Sequence, residues 1–410
     1  MKFYIALLCI LLTSFSVQAV TLREAYLKAK EHESIQIQSS RLKQFDEDVT
    51  QARSGILPRV NARGSYLVQQ DAAIFSAPTA DRSRKSLQVE VVQPLFQGFK
   101  EFAAIRLAEG ERLAQMADLE KSKTQIFTQV YEVFFNILMI ESEKENLEEL
   151  LRLSEERVRY LERRVNIGRS RESELISAQA QKMTVRSQLE GARSRLITYR
   201  ERLHSLTGLE RDVSVTLETG AKNLASLDDY LQRSLGSQWV APDRLRFEAS
   251  EHRVAIAKAD HLPGFDVRAN YYPYREGSFE DVKWDVTLNM TIPLYSGGAT
   301  SSRVRQAVES QREAELTFRL REREIREQVV IAYETLQQGR SQLSDFEQAV
   351  TLNRQNYELQ QREYGLGLVS NLDVLQALNQ YIQSRKDLSD LRLVNSQYYY
   401  ELLALTGEIF

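Results

Sequence analysis

The side chains that most often catalyse reactions or bind metals are few and scattered along this chain. The four histidines show no metal-ligand spacing; they are His32, His204, His252 and His261. The one cysteine, Cys9, lies in an apolar segment, and neither a G-x-S-x-G motif nor a phosphate-binding glycine loop is present. The sequence therefore predicts a protein that is not an enzyme and that holds no cofactor or metal ion.

Charged side chains make up 27% of the chain, and the net charge is −3. Most carboxylates are interspersed with Lys and Arg along stretches with helical periodicity, which is typical of solvated helix faces. A charge so close to neutral gives no reason to expect a nucleic acid as partner.

Two carboxylates are better placed for a specific role, because each follows a glycine that could end a long helix. Glu174 follows Gly168, and Asp373 follows Gly367. Glycine reaches the positive φ that many helix ends require, and a carboxylate is favourable in the first turn of the next helix. Their simplest role is therefore to start helices. The residues that could cap the second of these helices are Ser370 and Asn371.

Both turns belong to an internal repeat with a constant shift of 199 positions. The shift aligns Pro94-Leu95-Phe96-x-Gly98 with Pro293-Leu294-Tyr295-x-Gly297, and Leu206-Thr207-Gly208 with Leu405-Thr406-Gly407. Matches in a single register over so long a stretch indicate a duplication.

Each half has the pattern of a helix, two strands, a very long helix, a tight turn and a return helix. In the first repeat, residues 20–208, the strands are predicted at about 58–70 and 85–95 and the helices at about 99–165 and 171–207. Residues 209–240 are predicted to be a linker with short elements. In the second repeat, residues 241–410, the strands are predicted at about 264–274 and 281–293 and the helices at about 299–364 and 370–406.

The long helices carry apolar residues at alternating spacings of three and four, which predicts coiled-coil packing. In the first helix the seam consists of Leu147, Leu151, Ser154, Val158, Leu161 and Val165. A helix of about 65 residues is roughly 100 Å long, and no compact globular domain needs such a length.

The first 19 residues predict a secretory signal peptide. Lys2 supplies a positive charge, Phe3 to Leu12 are apolar, and the small residues Val17 and Ala19 fit a cleavage site. The apolar run has ten residues, about half of what a membrane-spanning helix needs. No other run of this kind follows, so no transmembrane helix is predicted.

The strands alternate between apolar and polar residues, as membrane-spanning β-strands do. The segment from Val282 to Ile292 alternates over eleven residues, and tilted membrane strands have roughly 9–11. The residues predicted to face the membrane are Val282, Trp284, Val286, Leu288, Met290, Leu87, Val89 and Val91. Aromatic residues near the strand ends, including Phe75, Tyr271, Tyr274 and Phe279, fit an interfacial girdle. A soluble hairpin with one face on a core is the alternative, because alternation marks any half-buried strand.

Four strands cannot close a barrel, and a sheet edge open to lipid leaves backbone groups unpaired. The chain must therefore oligomerise if it spans a membrane. Two copies would supply eight strands and three copies twelve, and the residues do not decide between them.

The sequence resembles the TolC family of outer-membrane factors over almost all of its mature length. The resemblance rests on Thr21-Leu22-x-x-Ala25, on P-L-[FY]-x-G and L-T-G in each repeat, and on the two turns. It implies a mainly α-helical fold in a trimer of the Gram-negative outer membrane, with a twelve-stranded β-barrel, four strands per chain, that continues into a periplasmic α-helical barrel. It also implies an exit duct for drug efflux or type I secretion, in contact with outer-membrane lipid, a periplasmic adaptor and an inner-membrane transporter of the ABC, RND or MFS type.

The resemblance further implies a gate at the second turn, where an aspartate matching Asp373 rings the tunnel entrance and a tyrosine matching Tyr364 helps to hold the inner helices. Three carboxylates brought together would select cations and raise their apparent pKa. Two positions depart from the family pattern, because Gln376 replaces a second aspartate and Val369 replaces an arginine. The first turn adds Glu174 as a gate candidate.

The turns are also the predicted docking surface for the adaptor. The candidates there are Gly168, Leu175, Gly365, Gly367, Ser370 and Val374. A periplasmic coiled-coil adaptor or scaffold that forms no pore is the alternative function, and the cargo is left open. The tunnel helices carry no methionine or histidine ladder, which argues against a dedicated metal exporter.

Overall fold

The computed structural model describes residues 19–68, 83–217, 224–276 and 280–409. Nearly all of the predicted signal peptide lies outside the described residues, as do Phe75 and Phe279 of the predicted aromatic girdle. Within the described ranges, no helix has a stretch that is both long and apolar enough to cross a membrane.

The described residues form eight helices and six strands. The helices are α1 (Leu22–Ala29), α2 (Glu33–Ser54), α3 (Lys100–Asn166), α4 (Glu172–Thr207), α5 (Leu227–Leu235), α6 (Ala241–Ala259), α7 (Ala299–Leu366) and α8 (Asn371–Thr406). The strands are β1 (Val20–Thr21), β2 (Arg59–Val68), β3 (Ser83–Gln97), β4 (Val215–Thr216), β5 (Gly264–Arg275) and β6 (Trp284–Thr291).

The chain divides into two compact units, and α2, α3, α5 and α7 each contribute to both. The sheet unit consists of Gln36–Ser122 and Ser234–Arg326. The turn unit consists of Met1–Ile35, Lys123–Arg233 and Glu327–Phe410. The turn unit thus holds both turns between a long helix and its return helix.

The sheet unit contains one four-stranded antiparallel sheet with the strand order β2-β3-β5-β6. The two hairpins, one from each repeat, join through β3 and β5. Val89 pairs with Tyr271, and Tyr271 pairs with Trp284, so these apolar side chains share one face. Val286 and Leu288 continue that face, and their side chains are more than half exposed.

Two strand boundaries differ from the prediction. β6 spans Trp284–Thr291 rather than 281–293, and it ends at Thr291 because that residue pairs with Gly264, the first residue of β5. Val282, which was predicted to face the membrane from a strand, therefore lies outside β6. β3 spans Ser83–Gln97 rather than 85–95, and it continues through Pro94 because a register shift at that position accommodates a residue without an N–H group.

The two very long helices are packed along the predicted apolar seams. In α3 the seam residues Ser154, Val158 and Leu161 are buried, and in α7 Val329 and Leu336 are buried. Below the turns, the core of the turn unit combines side chains from all four helices α3, α4, α7 and α8; its members include Leu161, Val185, Tyr357, Val374 and Leu378.

The helix predicted before the strands of the first repeat is interrupted between α1 and α2. His32 lies at this break, and its Nδ1 is 3.2 Å from the backbone nitrogen of Ser34, which donates to it. A hydrogen bond of this kind satisfies an amide of the first turn of α2. His32 therefore has a structural role at a helix start.

Candidate functional site at the two helix turns

Both turns in the turn unit have the same backbone structure. At the end of α3, the N–H of Gly168 donates to the carbonyl of Val165 at 2.9 Å, and the N–H of Arg169 donates to the carbonyl of Arg164 at 2.8 Å. This pair of bonds is the Schellman motif, which requires positive φ at the glycine, and Gly168 has φ 68°. The end of α7 repeats the pair of bonds with Gly367 at φ 81°.

Asp373 completes a capping box at the start of α8. The backbone nitrogen and hydroxyl of Ser370 donate to Asp373 Oδ2 at 2.7 and 2.6 Å, and the backbone nitrogen of Asp373 donates to Ser370 Oγ at 3.4 Å. These hydrogen bonds from Ser370 hold the pKa of Asp373 below its usual range. Within one chain Asp373 is thus a helix-start carboxylate, and its side chain remains exposed to solvent.

Glu174 accepts a hydrogen bond from across the turn unit instead. Tyr364, at the end of α7, donates from Oη to Glu174 Oε2 at 2.8 Å. Ser170 donates to the same carboxylate, and its hydroxyl oxygen lies 3.1 Å from Tyr364 Oη. Tyr364 is 5% exposed. A phenol, a hydroxyl and a carboxylate therefore join the turn that follows α3 to the end of α7.

The surroundings of this contact keep Glu174 ionised and Tyr364 protonated. Burial acts to raise the pKa of Glu174, but hydrogen bonds from Ser170 and Tyr364 and the charges of Arg171 and Arg157 lower the pKa overall. Burial raises the pKa of Tyr364, and Glu174 raises it further. At neutral pH an ionised carboxylate therefore accepts a hydrogen bond from a neutral phenol, and such charge-assisted hydrogen bonds are strong.

Arg157 connects α3 to α7 and α8. It was not among the residues that the sequence analysis selected. Its Nε and Nη2 donate to Asn371 Oδ1 at 2.8 and 2.5 Å, and its guanidinium lies 4.0 Å from the ring centroid of Tyr364. Arg157 is 7% exposed and Asn371 is 4% exposed. Burial lowers the pKa of Arg157, while Tyr364, Tyr160 and Glu174 oppose that shift. Arginine stays protonated under such conditions, so a buried cation lies on the face of the Tyr364 ring.

The sequence contained no signal for Arg157 because its neighbours on α3 are also charged. Glu155, Glu156 and Arg159 surround it in the chain, and all three are exposed. Only its position relative to α7 and α8 distinguishes it from them.

The predicted docking residues separate into exposed and buried groups. Gly168, Gly365 and Gly367 are exposed, whereas Leu175 is half-buried against the core. Val374 is 2% exposed and belongs to that core, so it is removed from the docking candidates. Its side chain points inward because α8 packs this face on the neighbouring helices.

Large exposed apolar side chains lie at both glycine turns, and the sequence analysis did not include them among the docking candidates. They are Ile167, Leu366, Leu368 and Leu372, with 65%, 77%, 71% and 71% of their surface exposed. Ile167, Leu366 and Leu368 are each next to a helix-ending glycine, and this placement could have indicated their exposure. Gln376 is exposed on α8, one turn after Asp373.

The comparisons with known proteins agree with this architecture. A family model described as outer membrane efflux protein matches residues 26–209 and 237–408, most of the chain. The chain belongs to the outer membrane efflux protein family. The TolC-like resemblance and the predicted fold class are thereby confirmed, and so is the predicted function of an outer-membrane exit duct for efflux or secretion.

Relatives of the chain include both outer membrane proteins and a secretion protein. The outer membrane protein TolC of Vibrio cholerae is 24% identical over 402 residues, covering 92% of this chain and 89% of the relative. The proteases secretion protein PrtF of Dickeya chrysanthemi is 24% identical over 379 residues, covering 84% and 79%. One relative is named for the outer membrane and the other for secretion, and neither name describes an enzyme.

A solved structure with the same fold is the outer membrane protein VceC of Vibrio cholerae. It aligns with a TM-score of 0.83 and 20% identity over 94% of this chain and 96% of VceC. The family match and this fold do not favour the alternative of a scaffold that forms no pore.

Proposed function

We propose that three copies of this chain form an exit duct in a Gram-negative outer membrane. Each copy would add its four strands to a twelve-stranded barrel and its long helices to a periplasmic tunnel. The observation that carries the proposal is the sheet of β2, β3, β5 and β6, whose two edge strands each pair on one side only. An edge in lipid is costly, so neighbouring copies must complete the sheet. The apolar face, with Trp284 68% exposed, would then contact lipid.

The turns would receive the partners of the duct. A periplasmic adaptor would dock on the exposed glycines and on the apolar residues Leu366, Leu368 and Ile167 beside them. The adaptor would link the duct to an inner-membrane transporter of the ABC, RND or MFS type. Exposed apolar side chains at a loop support this role, because such side chains are common at protein interfaces.

The closed state of the duct would depend on the contact between the two turns. The Tyr364–Glu174 hydrogen bond and the Arg157–Asn371 contact hold α7 and α8 against α3 and α4. Breaking these contacts would free the α7–α8 pair to move and widen the entrance. Asp373 and Gln376 are exposed near the same turn, and threefold symmetry would repeat them around the passage.

Single-channel recording of the purified protein in a planar lipid bilayer tests the duct and the gate together. The wild type should insert with a small conductance. Tyr364→Phe should increase that conductance strongly, because it removes a hydrogen bond to a charged acceptor, which contributes about 1.5–3 kcal/mol and so favours the open state of each copy by roughly ten- to hundred-fold. Tyr381→Phe is the matched control, since Tyr381 lies on α8 beside the same core and stacks on Tyr357.

Failure of the wild type to insert, under conditions in which a known porin inserts, would contradict the duct itself. Insertion with equal conductance for the wild type and Tyr364→Phe would keep the duct and remove Tyr364 from the gate.

A further inference from the structure

One line of residues crosses all four strands of the sheet, and every residue in it is polar. The backbone register pairs Asn61 with Glu90, Glu90 with Asn270, and Asn270 with Asp285. Side chains alternate along a strand, so these four leave the sheet on the face opposite the apolar one. Asn270 Nδ2 donates to Asp285 Oδ1 at 2.9 Å, which joins the last two members directly.

Glu90 is the centre of this polar face. Its carboxylate lies 3.1 Å from Arg63 Nη2 on β2 and 3.5 Å from Arg268 Nε on β5. The Glu90 side chain is 4% exposed, whereas those of Arg63 and Arg268 are 64% and 47% exposed. One buried anion therefore compensates two cations that still face solvent.

The neighbouring rows of the polar face carry charges of both signs. The register places Arg59 and Arg268 on either side of Val92, one row from Glu90, and Asp266 opposite Asn289 in the next row. Arg63 lies opposite Gln88 in the row on the other side. The charged residues that the register pairs in these rows are three arginines, Arg59, Arg63 and Arg268, and three carboxylates, Glu90, Asp266 and Asp285. Lys283 and Arg275 add positive charge at the end of the same face, so loss of any one carboxylate would make the face more positive.

We propose that Glu90 determines the ion selectivity of the strand-lined part of the passage, independently of the carboxylates at the turns. This inference rests on the proposed function, in which the polar face of the sheet lines the passage. Charged side chains on the walls of a pore set which ions enter it, and walls of low dielectric strengthen their field. By offsetting one of the two positive charges of Arg63 and Arg268, Glu90 weakens the repulsion of cations by the arginines.

A purely structural role for Glu90 predicts a different pattern. Cross-strand ion pairs also stabilise the register of a sheet, and removing either partner then weakens the same interaction. In that case substitutions of Glu90 and of Arg63 would lower stability together and leave ion selectivity unchanged. If Glu90 sets the selectivity, the two substitutions must instead shift selectivity in opposite directions.

The test is the reversal potential of single channels in a KCl gradient, measured in the Asp373→Asn background so that the turn carboxylates do not mask the strands. Glu90→Gln should shift the permeability ratio towards anions by about two-fold or more, and Arg63→Gln should shift it towards cations. Ser65→Ala, a neutral change on the same face, is the matched control and should leave the ratio unchanged.

The proposal would be overturned if both variants conducted normally and kept the reversal potential of the Asp373→Asn protein. It would also be overturned if Glu90→Gln and Arg63→Gln shifted the reversal potential in the same direction. If Glu90→Gln does not yield an inserted oligomer, Arg63→Gln and Arg268→Gln decide the matter, because both arginines are exposed and should shift the ratio towards cations. An unshifted ratio in those two variants would then overturn the proposal. A failure of the wild-type protein to form channels would instead count against the proposed function.

Discussion

Glu174 and Asp373 occupy the same position in the two repeats, 199 residues apart, but they have different partners. Each follows a glycine that ends a long helix in a Schellman motif. Asp373 folds back on its own helix start, where it accepts hydrogen bonds from Ser370. Glu174 accepts a hydrogen bond from Tyr364 of the other repeat. Equal backbone geometry therefore does not determine what a carboxylate binds.

The residue at the N-cap explains the difference. Ser370 caps α8, whereas the equivalent residue of α4 is Arg171, which makes no side-chain cap hydrogen bond. An arginine has no acceptor that could satisfy a helix-start amide, so no capping box forms and Glu174 is available to Tyr364. The equivalent of Tyr364 in the first repeat is Val165, which cannot return the interaction. Duplication thus supplied two similar turns, and substitution made them complementary.

The largest expected effect separates the two carboxylates. Glu174→Gln should weaken the bond from Tyr364 by about 1 kcal/mol, the difference between charged and neutral acceptors, or about 3 kcal/mol for three copies that open together. That corresponds to a roughly hundred-fold shift towards the open state. Asp373→Asn should leave the conductance near the wild-type value and reduce the preference for cations. Single-channel recording measures both the conductance and the preference for cations.

Glu172→Gln serves as the control for the first variant, because Glu172 is exposed in the same first turn of α4. Equal increases in conductance for Glu174→Gln and Asp373→Asn would mean that the two positions are equivalent after all.

Acidification should open the gate through Glu174. Although burial acts to raise it, the pKa of Glu174 is lowered overall in the folded protein by hydrogen bonds from Ser170 and Tyr364. A lowered pKa means that the contribution of the carboxylate is complete above the ordinary value of 4.5 and is lost as the pH falls below it. Conductance should therefore be constant from pH 8 to about pH 5.5 and should rise at lower pH. Glu174→Gln should remove this dependence, and an unchanged acid response in that variant would assign it to another group.

A smaller effect is expected at the second helix start. Ser370→Ala removes the capping residue of α8 and should lower the free energy of unfolding by the ~1 kcal/mol typical of a lost serine cap. Thermal unfolding in detergent measures this loss. Single-channel conductance should remain at the wild-type level because the Tyr364–Glu174 hydrogen bond is untouched; an increase comparable to that of Glu174→Gln would show that both turns control the gate.

The smallest and most specific effect should come from making the first turn resemble the second. Arg171→Ser provides a capping residue three positions before Glu174, the spacing of a capping box. Glu174 should then divide its time between its own helix start and Tyr364, so conductance should rise by less than in Glu174→Gln. Arg171→Ala is the control, since it removes the same charge without offering a cap, and an equal rise in both variants would assign the effect to the charge.

Most of the secondary structure could be predicted from the sequence because its determinants are local. The helix-ending glycines Gly168 and Gly367, the apolar seam of α3 and the alternation within β6 each depend on residues a few positions apart. The prediction was less accurate where pairing decided the outcome. β6 stops at Thr291 and β3 continues through Pro94 because of what β5 offers each strand.

By itself, the sequence determined the duplicated pattern of elements, the two glycine turns and the alternating faces of the strands. Only the tertiary structure decided that Glu174 binds Tyr364, that Arg157 bonds to Asn371, and that Glu90 lies between Arg63 and Arg268. The reason is physical. Helix ends and strand alternation follow from the φ/ψ preferences and polarity of neighbouring residues, whereas these contacts join residues far apart in the chain. Such contacts depend on how each helix is rotated about its axis and on the register between strands, and both are set by the packing of the whole core.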